Sequence, residues 1–470
     1  FHLTTLLEIN DRSLKPKSDL SLPKHDTPRT SFNVSLAMST EISILYQRAL
    51  SGITGKPFLY TGQSKVPKGV SHVQFSPSVQ EVPRGAFEGC RALRCVIFNK
   101  GLKKIGDRAF DGCKSLEDIM FPSTLVEIGD CAYYDCDALR HLVFNEGLQR
   151  IGMGAFHGCR SLVGIKLPST VVEIGHGAFL RCSELIYVML NEGIQSVGED
   201  TFFECRSLKS VEFPSTVIEV GSNAFCRCDS LRNALLNEGL QEIGEEVFSD
   251  CYSLQTIQLP STVTKIGSNA FTRCTLLSNL MLNEGLQRIV HNAFTDCRSL
   301  ESVRIPSTVN EIGQHAFNHC DALKDVLLNG APQKVGTKAF HSCDSLENLK
   351  CPFVTTCLES ISCKKGQNTI LKKIDGTPGF SMVDGEMLIT LASLQEGQGW
   401  SACKEKLNQI LGLIAFYELM DATTMFELAL WKAKLVDQNM VNGNDSNRES
   451  CCVAVPGPVK DAVLQFMPSN

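Results

Sequence analysis

Residues 159–182 read CRSLVGIKLPSTVVEIGHGAFLRC, and the cysteines that bound this stretch, Cys159 and Cys182, stand 23 residues apart. The same interval separates all neighbours in the series Cys90, Cys113, Cys136, Cys159, Cys182, Cys205, Cys228, Cys251, Cys274, Cys297, Cys320 and Cys343. A short fixed period without insertions marks a solenoid, in which each repeat buries the next and none is stable alone. It overrides the two or three globular units that 470 residues would otherwise suggest.

Other columns travel with the cysteine. Three residues before it stands an aromatic, from Phe87, Phe110 and Tyr133 through to Phe340, and three residues after it stands Leu, from Leu93 to Leu346. Apolar residues follow at the sixth position (Val96, Ile119, Leu142, Ile165, Val188, Val211) and the eighth (Phe98, Phe121, Phe144, Leu167, Leu190, Phe213). That period of two predicts a strand with one face inward. The aromatic and the cysteine, three apart and often preceded by Ala, predict a single helical or 3₁₀ turn on the opposite side. Ile-Gly or Val-Gly precedes that turn, as at Ile105-Gly106 and Val197-Gly198, where Gly is expected to let the backbone corner. Pro57 to Pro83 reads as a degenerate first rung, with Val70, Val73 and Phe75 in the strand columns and Pro67 in place of the cysteine.

The consensus L-x-x-V-x-L-P-S-T-V-x-E-I-G-x-x-A-F-x-x-C resembles the BspA-like, or Treponema pallidum-type, leucine-rich repeat family over residues 66–352. The resemblance implies an α/β repeat solenoid, curved and right-handed, with a parallel sheet on its concave side. It implies binding rather than catalysis. The expected organisation is a leader over 1–55, disordered but for a short helix, a capping rung over 56–83 and a solenoid of twelve rungs over 84–355. A linker over 356–400 and a helical C-terminal segment over 401–470 complete it.

A second period lies inside the first. After the strand, rungs alternate between Asn (Asn99, Asn145, Asn191, Asn237, Asn283, Asn329) and Pro (Pro122, Pro168, Pro214, Pro260, Pro306, Pro352), so the repeating unit is 46 residues. Asn rungs mostly read Asn-Glu-Gly or Asn-Lys-Gly, a turn in which Gly is expected to supply positive φ; Asn329-Gly330 departs from this. Duplication history alone would also explain the alternation.

The alternation reaches the side chain seven residues after the cysteine, which should point out from the sheet. On Asn rungs it is Ile97, Val143, Met189, Leu235, Met281 and Leu327, and on Pro rungs Met120, Lys166, Glu212, Gln258, Arg304 and Lys350. Two residues earlier the side chains are mostly small or polar, with His141 and Tyr187 as exceptions. Apolar rows alternating with polar ones on an open sheet point to a partner-binding strip. The alternatives are cover by a terminal segment of the chain and self-association.

Composition bounds the function. The charge is balanced, with 45 basic and 51 acidic residues, and no block of like charge suggests a nucleic-acid arm. The most apolar stretch, Ile410 to Phe416, is far below the roughly 20 residues a bilayer span needs. The opening FHLTTLLEIN lacks the basic flank and long apolar core of a signal peptide, and Met38 is a candidate start. Of 21 cysteines, twelve are used by the repeat, where the expected role is a small buried hydrophobe. Reduced thiols fit a cytoplasmic or otherwise reducing compartment.

No phosphate-binding glycine loop or nucleophile elbow is present. Cys226 and Cys228, Cys357, Cys363 and Cys451-Cys452 lack the paired spacing of a zinc site, His157 and His341 are isolated, and Glu245-Glu246 reads as a solvated corner. The expectation is a non-enzymatic scaffold for a protein partner, without cofactor. A cell-surface adhesion protein and an enzyme with its site in the C-terminal segment are the alternatives.

Beyond Pro352 the period fails. Leu407, Ile410, Leu411, Ile414 and Leu419 share one helical face, Thr424 and Glu427 form a capping box, and a last short helix spans 459–467. FYELMDATTMFELALWKAK and VPGPVKDAVLQFM are similar to C-terminal segments of diatom leucine-rich repeat proteins.

Overall fold

The computed structural model describes residues 56–63, 65–330, 332, 334–351, 371–375, 380–383, 386–390, 406 and 409–410. Each 23-residue rung goes round three sides: a strand of three or four residues, a strand of two, and a side made of turns. The longer strands from Phe58–Tyr60 to Asn279–Met281 form one 11-stranded parallel sheet. Ser302–Ile305, Asp325–Leu328 and Asn348–Cys351 continue the stack in a second sheet. Register never slips, so column residues face one another: Met120 pairs with Val143, Lys166 with Met189, Glu212 with Leu235, Gln258 with Met281 and Arg304 with Leu327.

The core between the sides is one ladder of like residues. Aromatic rings from Phe87 to Phe340 stack with centroids 4.8–5.7 Å apart. Hydrogen-bonded strands lie about 4.8 Å apart, so the rings stack at close to the rung repeat itself. Each column thiol from Cys113 to Cys343 donates to the aromatic carbonyl of the rung before, as in Cys182 to Phe156 and Cys205 to Phe179, both 3.3 Å. Cysteine is small enough for the site, and its thiol adds a second donor to an oxygen that already accepts the Cys N–H of its own rung, as Cys159 N does on Phe156 at 3.3 Å.

The expected helical turn is instead a run of β-turns. Half of its N–H groups bond within the rung, as in Glu88 to Gly85 and Cys90 to Phe87, three residues back. The others cross to the next rung, as in Gly85 to Asp107, Phe87 to Ala109 and Gly89 to Asp111. A helix would keep these donors inside one rung; here the alternation ties rung to rung. It demands left-handed backbone five residues and one residue before each cysteine, where φ is 49–60° even at non-glycine residues such as Arg181, Glu204, Arg227 and Asp250.

Glycine in the Ile-Gly pairs serves a different need from the one expected. These residues have no positive φ. A Cβ on Gly175 would lie 2.5 Å from the Met153 nitrogen and 2.6 Å from the Gly152 carbonyl carbon, so glycine is there because adjacent rungs touch through their backbones. Val290 breaks the pattern, and its N–H reaches the Ile266 carbonyl at 3.0 Å where its counterparts at Gly152 and Gly175 reach theirs at 2.8 Å. The Asn-x-Gly glycines behave alike: among Gly101, Gly147, Gly193, Gly239 and Gly285 only Gly147 has positive φ, and a Cβ on Gly285 would meet the Ser261 oxygen at 2.6 Å.

The 46-residue alternation has a structural basis. In the turns of Asn191, Asn237 and Asn283 the Asn amide donates back to the Pro turn before it, as in Asn237 to the carbonyls of Pro214 and, at 3.0 Å, Val217. The Glu beside it accepts from the Ser of the next Pro turn, as in Ser261 Oγ to Glu238 at 2.7 Å. Thr262 Oγ1 then donates back to the Leu240 carbonyl at 2.7 Å. The two turn types are complementary partners, so duplication alone does not account for them.

Both ends of the stack are closed by elements without the period. Phe58–Tyr60, at the start of the degenerate first rung, adds a strand beyond His72–Phe75, and the Tyr60 ring lies 5.0 Å from both Phe75 and Phe87. At the other end, within the segment expected to be a linker, Glu386–Thr390 pairs antiparallel with Asn348–Cys351, and Phe380–Val383 completes the hairpin. Ile374, Met387 and Ile410 join the same buried cluster, with residues 406, 409 and 410 helical. The remainder of the C-terminal helices and the leader over 1–55 lie outside the described residues.

Candidate functional site

The outward column of the sheet divides into three stretches. Ile97, Met120 and Val143 are apolar and half-buried. From Lys166 to Arg304 the column is fully exposed and alternates as the sequence predicts: Lys166, Met189, Glu212, Leu235, Gln258, Met281, Arg304. Leu327 and Lys350 are half-buried again, and the Lys350 ammonium sits 3.7 Å from Asp325. Exposure of the apolar members decides where a partner has most to gain: Met189 is 41 % exposed, Leu235 59 % and Met281 47 %. These three stand on alternate strands, about 9.6 Å apart given the usual strand spacing.

Beside this column runs a polar one, two residues nearer the N-terminus of each strand. It carries Tyr187, Ser210, Asn233, Thr256 and Asn279, all exposed. Tyr187 is held in place by what it lies on: a Cβ on Gly164 would come within 2.1 Å of the ring, so the ring occupies the space a side chain there would need. His141 is anchored differently, its Nδ1 2.7 Å from Asp118 Oδ1 on the adjacent strand. That ion pair was readable in principle, since the residues are 23 apart in one column.

Cys95 lies in the same column as Asp118 and His141, which invites a comparison with nucleophilic triads. The electrostatics oppose it. Burial and then the Asp118 and Glu117 carboxylates push the Cys95 thiol up, away from the thiolate. The column cysteines from Cys113 to Cys320 are held protonated in the same way. Burial pushes Cys113 up to about 12, and Cys136, Cys159, Cys182, Cys205, Cys251 and Cys274 further in the same direction. All the described cysteines are free thiols.

Nor do the residues weighed for zinc come together. Cys226 and Cys228 are both buried free thiols, and burial pushes Cys226 up to about 12. His157 packs on Tyr134 with ring centroids 4.5 Å apart, and His341 Nδ1 faces Ser342 Oγ at 2.8 Å. Among the described residues no group of three His, Cys, Asp or Glu could hold a metal ion. Cys357, Cys363, Cys451 and Cys452 lie outside them. Glu246 of the Glu245-Glu246 pair is occupied by the Asn269 amide at 3.4 Å.

Charge on the other sides goes into ladders that sequence reading missed. Arg181, Glu204, Arg227, Asp250 and Arg273 stand in one column and pair in series, at 3.3, 2.9, 3.8 and 3.3 Å. Burial acts against the Glu204 carboxylate, but the Arg227 hydrogen bond with the Arg181 and Arg206 charges outweighs it and holds its carboxyl below the usual range. Among the described residues no helix is long and apolar enough to cross a membrane.

A stack of parallel strands with like residues in register and one open sheet face defines a leucine-rich repeat solenoid. The chain belongs to the BspA-type leucine-rich repeat family, whose region model matches in overlapping copies over residues 67–186, 149–278 and 264–381. It is similar to a leucine-rich repeat protein of Bacteroides ovatus, 26 % identical, with 60 % of this chain and 76 % of that one covered and a TM-score of 0.53. It is also similar to the leucine-rich repeat protein of T. pallidum, 26 % identical over 45 % of this chain and 79 % of that one, with a TM-score of 0.29. The pneumococcal vaccine antigen PcpA is 25 % identical, with 62 % and 70 % covered and a TM-score of 0.39. A comparison with curated proteins found no match.

Proposed function

We propose that this protein is a non-enzymatic interaction scaffold that holds a protein partner on the concave sheet, centred on Met189, Leu235 and Met281. One observation carries the reading: three large apolar side chains are exposed in register on a face whose every other rung is polar or charged. Packing does not ask for them, since the inward residues of the same strands, Val188, Ala234 and Leu280, are already buried. Exposed apolar side chains clustered on one face and rimmed by polar groups are where association removes most apolar surface from water. Binding is favoured over catalysis because the buried column thiols are held protonated and many carboxylates, such as Glu204 and Asp250, are paired with arginines. The reading places the protein in a reducing compartment, where its thiols stay free.

The test is affinity capture with the full-length chain and with Met189, Leu235 and Met281 all changed to Glu. Captured proteins should be lost from the variant while its circular dichroism is unchanged. An identical captured set from both would remove the assignment of this face.

A further inference from the structure

The spacing of the strip restricts the conformation of its ligand. We infer that the Met189–Leu235–Met281 ladder receives a polyproline II segment of a partner protein, laid along the solenoid axis with an apolar residue at every third position. This rests on the interaction reading above and adds the ligand's conformation and charge order.

Apolar rows recur every second strand, about 9.6 Å apart. A polyproline II chain places every third residue on one face about 9.3 Å apart. An extended strand presents one face every second residue, about 6.8 Å, and falls out of step within one interval. An α-helix offers about 10.5 Å at seven-residue spacing. Across the two intervals from Met189 to Met281 it drifts about 1.8 Å, and polyproline II about 0.6 Å.

Hydrogen bonding selects the same ligand. A polyproline II backbone makes no internal hydrogen bonds, so its carbonyls and N–H groups need partners when docked. The column beside the ladder supplies an exposed polar side chain on every successive strand: Ser210, Asn233, Thr256 and Asn279. A helix has satisfied its own backbone and would leave this column unused.

Charge then sets a direction. Glu212 stands between Met189 and Leu235, whereas the neutral Gln258 stands between Leu235 and Met281. Lys166 and Arg304 flank the ladder at its two ends. The fitting segment carries a basic residue between its first two apolar anchors, an uncharged one between the second and third, and acidic residues outside them.

The test is selection of random displayed peptides on the full-length protein, with the triple Glu variant as counter-selection. The expected pool is proline-rich, apolar at every third position, and binds the triple variant at least tenfold more weakly. Glu212→Arg, which leaves the ladder intact, should weaken the selected basic peptide about tenfold and favour the same peptide with Asp at that position. A pool with apolar residues at helical spacing, still dependent on the ladder, would overturn the polyproline inference and leave the interaction surface standing. A pool indifferent to the triple variant would overturn both.

Discussion

The turn side and the sheet face of this solenoid are built from the same rungs, yet they obey different rules. On the turn side the Cys, aromatic and Leu columns repeat without a change of character, because each residue is buried against copies of itself. On the sheet face the outward column changes at every step, from Met189 to Glu212 to Leu235 to Gln258. The interior fixes one side completely and leaves the other without an internal role. Under the proposed function, pattern on the free side reports the partner.

The largest expected effect strikes the turn side alone. The thiols from Cys113 to Cys320 hold their protons more tightly folded than unfolded. Their favourable term is complete below the unfolded value of about 8.5 and is lost as pH rises above it. Each thiol can withdraw up to about 1.4 kcal/mol per pH unit, so the stack should collapse with a loss on the order of 10 kcal/mol per unit. Urea midpoints between pH 8 and 10 measure this; a flat profile would show that the thiols are not core. Maleimide at pH 7 should likewise leave them unlabelled until unfolding.

A smaller effect comes from the close approach of rungs. Gly175→Val should cost about 3 kcal/mol, since a Cβ there meets backbone on the rung below. Val290→Gly should cost only about 1 kcal/mol, the backbone entropy of glycine, because its rung already holds a side chain there. Denaturant titration of the two variants side by side checks the asymmetry; equal losses would refute the packing role of these glycines.

Below that lies the stitching between turn types. Asn237→Ala strands the Val217 carbonyl and takes one of two donors from the Pro214 carbonyl, which keeps the Val217 N–H, and should cost about 2 kcal/mol. Asn329, in the departing Asn-Gly turn, should be worth less, and the pair of thermal unfolding curves decides it.

The smallest effect has the opposite sign. The Tyr133 hydroxyl is buried in the ring stack without a partner. Tyr133→Phe should therefore stabilise by about 1 kcal/mol, seen as a raised urea midpoint.

What was legible in the sequence follows the same division. Column residues such as Phe156, Cys159, Leu162 and Ile165 declare the rung because burial selects their type. The left-handed backbone leaves a fainter trace: Gly, Asn or Asp fills many of its positions, such as Gly158 and Asn223, but Arg181 and Glu204 fill others, because hydrogen bonds to the next rung impose the conformation. Hence a helical turn was expected where β-turns stand. The corner glycines misled in a related way: glycine signals both positive φ and close approach, and only the neighbouring rung distinguishes them. On the sheet, the alternation was visible, but the half-burial of Ile97, Met120, Val143 and Leu327 was not, because exposure depends on neighbours outside the column. The closing hairpin lacks the period, so Glu386–Thr390 read as linker.

The complementary turns also set a parity on the length of the protein. An Asn turn reaches back to a Pro turn and forward to the next, so any junction of like turns forfeits both sets of bonds. Losing a single rung would leave one such seam in the stack, whereas losing two adjacent rungs would leave none. Lineages of this chain should therefore grow and shrink by even numbers of rungs, and a designer who wants a longer or shorter version should cut in steps of 46 residues.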